Sequence, residues 1–413
     1  MIKSILKRIW VQRRGNTWIF SELLIVFVLL WYATDFLFVY TKSAFEPKGY
    51  NTEHVYHIAI SANPNLIPKT SNEDSLNTLW VKPYNELIRR IKSYPGVEAV
   101  CYYFGTESYS EGTMFQCYVS KDTAHVVQAN IFYVSPDYYN VFKIDMVKGG
   151  FTNWNMNEQP QPAVLTTDFA DSLFRGKSEI GNSFSDYYES GKHYKVVGIA
   201  QKSKQDEYNR YDKFIYVPIE EYMIQANIPN TAVRVRAEED HHFAETFMNK
   251  MRKRLQVGPY YLFNIESYDE SKQIYDASKG TSNYIKSGSA LILFFIINIF
   301  LGVMGTFWFR TQSRSSEIGL RMALGSSKRK LRRLMISEGI ILLNLAAIPA
   351  IIICINIAHA DFTFNKLMDF TVLRFFICTL ITYVLMIVMV VLGVWYPSKI
   401  ASNILPVEAL RNE

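Results

Sequence analysis

The sequence predicts an α-helical membrane domain of four transmembrane helices, with a large extracytoplasmic α+β domain inserted between the first and the second. Three observations predict it. Four apolar runs of about 20 to 23 residues are each long enough to cross a hydrocarbon core at 1.5 Å per residue. Between the first and second lie about 240 residues of mixed strand and helix patterning without any run of spanning length. Positive charge gathers beside the runs: residues 1–40 carry a net +3 and residues 285–413 a net +7, which leaves 41–284 at −4 within the total of +6. Short Lys/Arg-rich segments stay on the cytoplasmic side of a membrane. The basic balance therefore belongs to the membrane flanks, and no nucleic-acid partner is expected.

A chain of 413 residues, 49% hydrophobic and 15% aromatic, supports two or three units rather than one soluble core. Its N-terminal segment, 1–17, contains Lys3, Lys7, Arg8, Arg13 and Arg14 without an acid, and is amphipathic if helical. The run 18–40 is too long for a signal peptide's apolar core, and no small-residue cleavage site follows it, so an uncleaved first transmembrane helix is expected. Glu22 and Asp35 are its two polar interruptions. Each either reaches an interfacial layer or makes a polar contact with another helix, because an unpaired charge at depth is costly.

The extracytoplasmic domain, 41–284, opens with EHVYHIAI (53–60), which alternates as a strand does. LNTLWVKPYNELIRRIKS (76–93) reads as a helix that Pro83 breaks or kinks, and Pro95-Gly96 turns the chain into the strand VEAVCYYF. Strand and helix then alternate through 130–150, 162–174 and 194–200. Strands at 213–219 and 232–237 follow, and an amphipathic helix at 243–255. Residues 265–288 are polar and are expected to be helical in pieces.

The second helix is predicted at 285–309, the third at 339–358 with Pro349 inside it, and the fourth at 373–396, with a short outer loop at 359–372 and a tail at 397–413. Four crossings put both termini in the cytoplasm. The loop 310–338 holds eight Lys/Arg and a single acid, Glu317, before its last residue. Ser316 followed by Glu317 reads as an N-cap with an acid in the first turn, where the helix dipole favours negative charge. Ile318, Met322, Ala323 and Leu324 form one apolar face, Gly325 ends the helix, and Ser326 or Ser327 caps a second, basic helix. A short amphipathic helix with an uncovered face suits either a lipid surface or a cytoplasmic partner.

The string EIGLRMALGSSKRKLRRLMISEGIILL resembles the signature that follows the second span of MacB/FtsX-type ABC permeases, a family that includes MacB, FtsX, LolC and LolE. The tail PSKIASNILPVEALRNE resembles the family's cytoplasmic ending. In the outer domain, a helix ending in a Pro-Gly-Val turn is followed by VSPDYYNVFKI, LFRGKSEIGNSF and YKVVGI, an order similar to the family's extracytoplasmic domain. The resemblance implies a porter-like α/β part with an inserted, mainly β lobe at about 105–235. It implies an ATPase-coupling role for Glu317, Gly319, Arg321, Ala323, Gly325 and Glu338. It implies ATP and Mg bound by a partner ATPase rather than by this chain, a second permease copy, identical or paralogous, and the bacterial inner membrane with the large domain periplasmic. A periplasmic adaptor, outer-membrane channel or cell-wall partner fits the same family. The implied function is mechanotransmission for the export or extraction of a drug, peptide or lipoprotein; FtsX-like regulation of cell-wall hydrolases is the alternative, and a sensor without ATPase a third reading. MacB carries its ATPase on the same chain, whereas here the first span begins within twenty residues of the start, a layout nearer to LolC, LolE and FtsX.

Enzymatic chemistry is not expected of this chain. Gly176-Lys177-Ser178 mimics the end of a phosphate-binding loop, but the earlier glycine position is Asp171. His54 and His57 are three apart on a predicted strand, which turns them to opposite faces, and His241-His242 has no ligand-spaced companion. No metal site is expected. Cys354 and Cys378 fall in the spans as small apolar residues. Cys101 and Cys117 lie at the ends of stretches that can pair as a hairpin centred near Tyr109; an oxidising compartment permits a disulfide there, and two free thiols fit equally.

Overall fold

The computed structural model describes residues 11, 13–66, 76–105, 108–110, 112–120, 125–151, 159–176, 180–313, 320–322, 324 and 326–401. The chain divides into two compact units: 1–44 with 283–413, and 45–282.

In chain order, helix α1 (Arg13–Phe45) leads to strand β1 (Val55–Ala62), a π-turn (Asn77–Val81) and helix α2 (Lys82–Lys92). Pro83 is the second residue of α2, directly after the π-turn whose wider bonding, Lys82 N–H to the Asn77 carbonyl, lets the helix continue past the missing N–H. Tyr84, Leu87 and Ile91 are buried along one face of this helix, at i, i+3 and i+7. Then come β2 (Val97–Gly105), β3 (Phe115–Ser120), β4 (Val126–Val134), α3 (Tyr138–Phe142), β5 (Met146–Gly149), β6 (Gln161–Thr166), α4 (Thr167–Phe174), β7 (Ser183–Asp186) and β8 (His193–Ala200). The hairpin β9 (Ser203–Lys204) and β10 (Tyr211–Asp212) precedes β11 (Phe214–Pro218), α5 (Glu221–Ala226), β12 (Asn230–Val235), α6 (Phe243–Met251), β13 (Tyr260–Ser267) and α7 (Tyr268–Ser278). Helices α8 (Thr281–Gln312), α9 (Lys328–His359) and α10 (Val372–Ala401) complete the described chain.

In the outer unit, β2, β12, β1 and β13 make an antiparallel sheet with a helix layer on each face. One face packs Ile58, Val100, Val233 and Leu262 with Leu87, Ile91 and Phe247. The other packs Val55, Tyr103 and Ala232 with Tyr138, Phe142, Tyr268 and Tyr275. The sheet continues through β4 into a second subdomain, where β4, β3, β7, β8, β6 and β11 pair in sequence and β11 returns to β4 in parallel. The pairing ring is closed, as in a small barrel, which leaves these strands without an unpaired edge. Its interior is aromatic: Tyr118, Phe184 and Tyr194 meet, and Phe169 reaches them from α4.

This topology overturns the Cys101–Cys117 hairpin. β2 and β3 each pair with β4, so one strand separates the two cysteines. Both are free thiols. Two strand spacings come to about 9–10 Å, beyond the roughly 7 Å that a disulfide bridges between Cα atoms. His54 is also not on the strand: it lies in the turn before β1 with φ 58°, and its Nδ1 is 2.8 Å from Asp240 Oδ2. The polar stretch from 265 begins as the end of β13, and helix starts only at Tyr268, where Ser267 and Glu270 form a reciprocal capping box.

In the other unit, α1, α8, α9 and α10 are each long and apolar enough to cross a membrane. Leu23, Phe27 and Trp31 of α1 pack in one cluster with Leu342, Ala346 and Ala350 of α9 and Met386 and Val390 of α10. Gly339 permits that approach, since a Cβ there would meet Val390 Cγ1 at 2.9 Å. Asn298, Asn344 and Asn356 donate to the carbonyls of Phe294, Ile340 and Ile352, four residues back, so their amides cost less in an apolar medium.

Candidate functional site

Where α8 ends and α9 begins, two residues of opposite charge meet. Arg310 lies in the last turn of α8, and its Nη2 is 3.3 Å from Oε1 of Glu338 on α9, with both side chains largely buried. Sequence reasoning singled out Glu338 but not Arg310. The pair joins the two helices flanking the basic loop at a point where neither charge has bulk water around it. Gly339, next in the chain, holds α9 against Phe307 of α8 and Val390 and Val394 of α10.

Of the loop itself, Arg321 lies in the described helical piece 320–322, whereas Ser316, Glu317, Ile318, Gly319, Ala323 and Gly325 fall outside the described residues. Met322 packs on Leu331 of α9, as does Met335. Of the expected apolar face, Leu324 stays 79% exposed, and Leu320, which was not assigned to that face, is 52% exposed. Ser327 is the cap of α9: its hydroxyl accepts the Lys330 N–H at 3.3 Å. The first turn of α9 has no acid, yet Lys328, Arg329 and Lys330 crowd the positive end of its dipole. Cations there are of the unfavourable sign, which favours an anionic surface against them.

Within the membrane helices the acids of α1 make interhelical contacts. Asp35 is fully buried and takes a two-pronged ion pair from Arg374, Nε to Oδ1 at 2.7 Å and Nη2 to Oδ2 at 2.6 Å. The remaining guanidinium nitrogen donates to the Met368 carbonyl at 2.9 Å, and the Cys378 Sγ lies 3.8 Å from the carboxylate. One turn away Thr34 and Thr382 bond at 3.3 Å. The contacts of Asp35 and Thr34 join α1 to α10, and Arg374 in turn holds the loop before α10. Glu22 accepts the Thr306 hydroxyl of α8 at 2.8 Å, in space left by Gly302. Arg374, Thr306 and Arg310 are partners that sequence reasoning did not assign. The available signal for Arg374 is its place as the cation at the start of the fourth apolar run, with Asp35 an acid near the end of the first.

The outer unit shows an open polar cleft of about 500 Å³ lined by Lys92, Glu98, Asp137, Asn140, Lys143 and Asp145, crossed by a Lys92–Asp137 ion pair at 2.7 Å. Among the described residues no three His, Cys, Asp or Glu side chains are grouped to hold a metal. Gly176 ends the turn after α4 with φ 75°, and Lys177 and Ser178 lie outside the described residues. Burial pushes the Cys101 thiol well above its ordinary range, so it is an unreactive core residue.

Residues 34–246 match the family model described as MacB-like periplasmic core domain, and residues 289–406 match the FtsX-like permease C-terminal model. An uncharacterized ABC transporter permease, YvrN of Bacillus subtilis, is 24% identical over 351 residues, covering 79% of each chain. The macrolide export ATP-binding/permease protein MacB of Campylobacter jejuni is 26% identical over 228 residues, 53% of this chain and 34% of that one. MacB of Vibrio parahaemolyticus is 23% identical over 340 residues, 79% of this chain and 48% of its own. The chain thus spans between a third and a half of these macrolide-export relatives. Among solved structures, the periplasmic region of MacB from Actinobacillus actinomycetemcomitans aligns with TM-score 0.36 and 12% identity, over 57% of this chain and 98% of that one.

Proposed function

Because the chain belongs to the MacB/FtsX family of ABC transporter permeases, with its MacB-like periplasmic core domain and FtsX-like permease part, we propose that it transmits ATP-driven motion to the outer unit. A separate cytoplasmic ATPase supplies the work, with ATP and Mg bound there. The observation that carries this reading is the inner junction: an uncovered apolar pair, Leu320 and Leu324, beside the cation-rich start of α9, with the buried Arg310–Glu338 contact behind it. Such a surface suits an ATPase groove with an apolar floor and an acidic rim. Glu317, Gly319, Arg321, Ala323 and Gly325 take part in the docking, and Glu338 passes the displacement into α9.

In this reading both termini and the loop 310–338 are cytoplasmic, which the distribution of Lys and Arg supports. A second permease copy, identical or paralogous, completes the machine, since one chain offers one docking loop. The outer unit then acts on a drug, peptide or lipoprotein, alone or with an adaptor or outer-membrane channel.

The test is co-purification of the full chain from its native membrane, followed by ATP hydrolysis assays. Wild type is expected to bring down an ATPase, and Glu317→Lys or Leu324→Asp to lower coupled hydrolysis at least about tenfold, the effect of losing a buried anchor at an interface. Unchanged hydrolysis in both variants, or labelling that places Arg321 outside the cell, would sink the proposal.

A further inference from the structure

Both connections between the outer unit and the membrane helices are tied to one small hairpin. The pair β9–β10 forms a two-stranded sheet of its own, apart from the large one. Residues 46–50, which follow α1 in the chain, are stitched to it along their length. Lys204 pairs with Glu46 at 2.8 Å and is almost wholly buried; the Tyr211 hydroxyl donates to the Pro47 carbonyl at 3.0 Å. The Lys48 carbonyl accepts both the Lys204 N–H at 3.0 Å and the Ser203 hydroxyl at 2.9 Å, and Tyr50 donates to the Gln205 carbonyl at 2.9 Å. Gly49, at φ +86°, lies so near the Lys202 carbonyl that a Cβ would come within 2.5 Å.

The loop of that hairpin carries Glu207, and its Oε1 is the meeting point. Lys48 Nζ, Lys272 Nζ and the Tyr109 hydroxyl each donate to this one oxygen at 2.9 Å. Lys48 also donates to Tyr109 at 2.7 Å. Lys272 belongs to α7, which leads into α8; Lys48 belongs to the segment that leaves α1. Two chain segments more than two hundred residues apart thus share one carboxylate, itself only 12% exposed. Burial alone pushes Glu207 upward, but the hydrogen bonds from Lys272 and Lys48 outweigh it and hold it at about 2, so the group is a charged acceptor at neutral pH. An anion with three donors, in a partly desolvated place, makes bonds about twice as strong as neutral ones.

We propose that Glu207, Lys48 and Lys272 are positioning residues that clasp the two connecting segments together, so that a displacement arriving through either is delivered to the outer unit by both. This rests on the transmission reading above. Loss of the clasp leaves both subdomains folded, because Glu207, Lys48 and Lys272 themselves lie outside both core clusters, and frees the segments to move separately.

The experiment is hydrogen–deuterium exchange on the full chain in lipid nanodiscs, which needs no ATPase and so fails independently of the transmission reading. Lys272→Met is the first variant, since its side chain is on α7 and partly exposed. A clasp requires that it raise exchange both in 268–278 and in the distant 45–50, each by about tenfold or more, the scale of a lost charge-assisted bond, while β4 (126–134) stays unchanged. Glu207→Gln is expected to raise both segments further. Exchange confined to 268–278 in Lys272→Met, or a rise in β4 equal to that in the two segments, would overturn the clasp.

Discussion

The two units settle the same problem, a buried charge, in different ways. In the membrane unit Asp35 and Arg374 answer one another side chain to side chain, and the rest of the guanidinium turns to Met368 and Asn365 in the adjoining loop. In the outer unit, Arg234 is as deeply buried, but among the described residues no carboxylate hydrogen-bonds its guanidinium. It donates instead to the backbone carbonyls of Val141, Glu53 and Asn51, at 2.5, 2.8 and 2.8 Å. Spanning helices spend their carbonyls on themselves, so an ion within them must find a counter-ion. A turn-rich outer domain has carbonyls to spare, and an arginine can serve as a cross-link between loops. The comparison teaches that the neutralising partner is dictated by what backbone the surroundings leave unbonded.

The largest expected effect comes from breaking the membrane pair on one side. Arg374→Met leaves Asp35 without a counter-ion and should cost about 3–5 kcal/mol, seen as lost thermal stability of the purified chain in detergent. Asp35→Leu combined with Arg374→Met should recover most of it. If the double variant is as unstable as the single one, the pair is not the unit of stabilisation.

Acid should act on the outer unit next. Glu207, lying at about 2 in the folded chain against an ordinary 4.5, is the depressed case. Its stabilisation, on the order of 3 kcal/mol, is fully present above about pH 4.5 and is lost as pH falls toward 2. Asp276 works against it, because burial raises its carboxyl and acidification relieves that cost. The net expectation is a fall in the outer unit's melting temperature across this window, followed by near-ultraviolet circular dichroism of its tyrosines, and a clearly shallower fall in Glu207→Gln. Equal slopes in the two proteins would refute the assignment.

The smallest effect sharpens the contrast within the membrane unit. Thr306→Val removes the hydroxyl that Glu22 accepts and should cost about 1 kcal/mol, since Glu22 is only half-buried and has other recourse. A loss as large as that of Arg374→Met would mean that Glu22 is as isolated from water as Asp35.

Much of this was legible beforehand. The outer strands expected at 53–60, 97–104 and 194–200 and the amphipathic helix from 243 followed from alternation and period, and the structure has β1, β2, β8 and α6 there, with β1 starting two residues later. Ser267-x-x-Glu270 is a capping box in plain letters, yet the apolar residues before it read as nothing in particular until β1 gave β13 a partner. The Cys101–Cys117 hairpin failed for a related reason. Adjacent strands in sequence pair by default, and β4 took the place between them only because the barrel closes through β11.

Apolar run lengths and the placement of Lys and Arg are local properties, summed over a window of residues. They are enough to specify four membrane-length helices, an inserted outer domain and a basic loop between the second and third helices. Which distant residue neutralises which is not a windowed quantity. Asp35 with Arg374, Arg310 with Glu338, and Lys48 with Lys272 on one carboxylate were decided only when helix rotation and strand register brought side chains hundreds of positions apart, or across a loop, within 3.3 Å. Burial then made each charge dependent on the partner that packing had supplied.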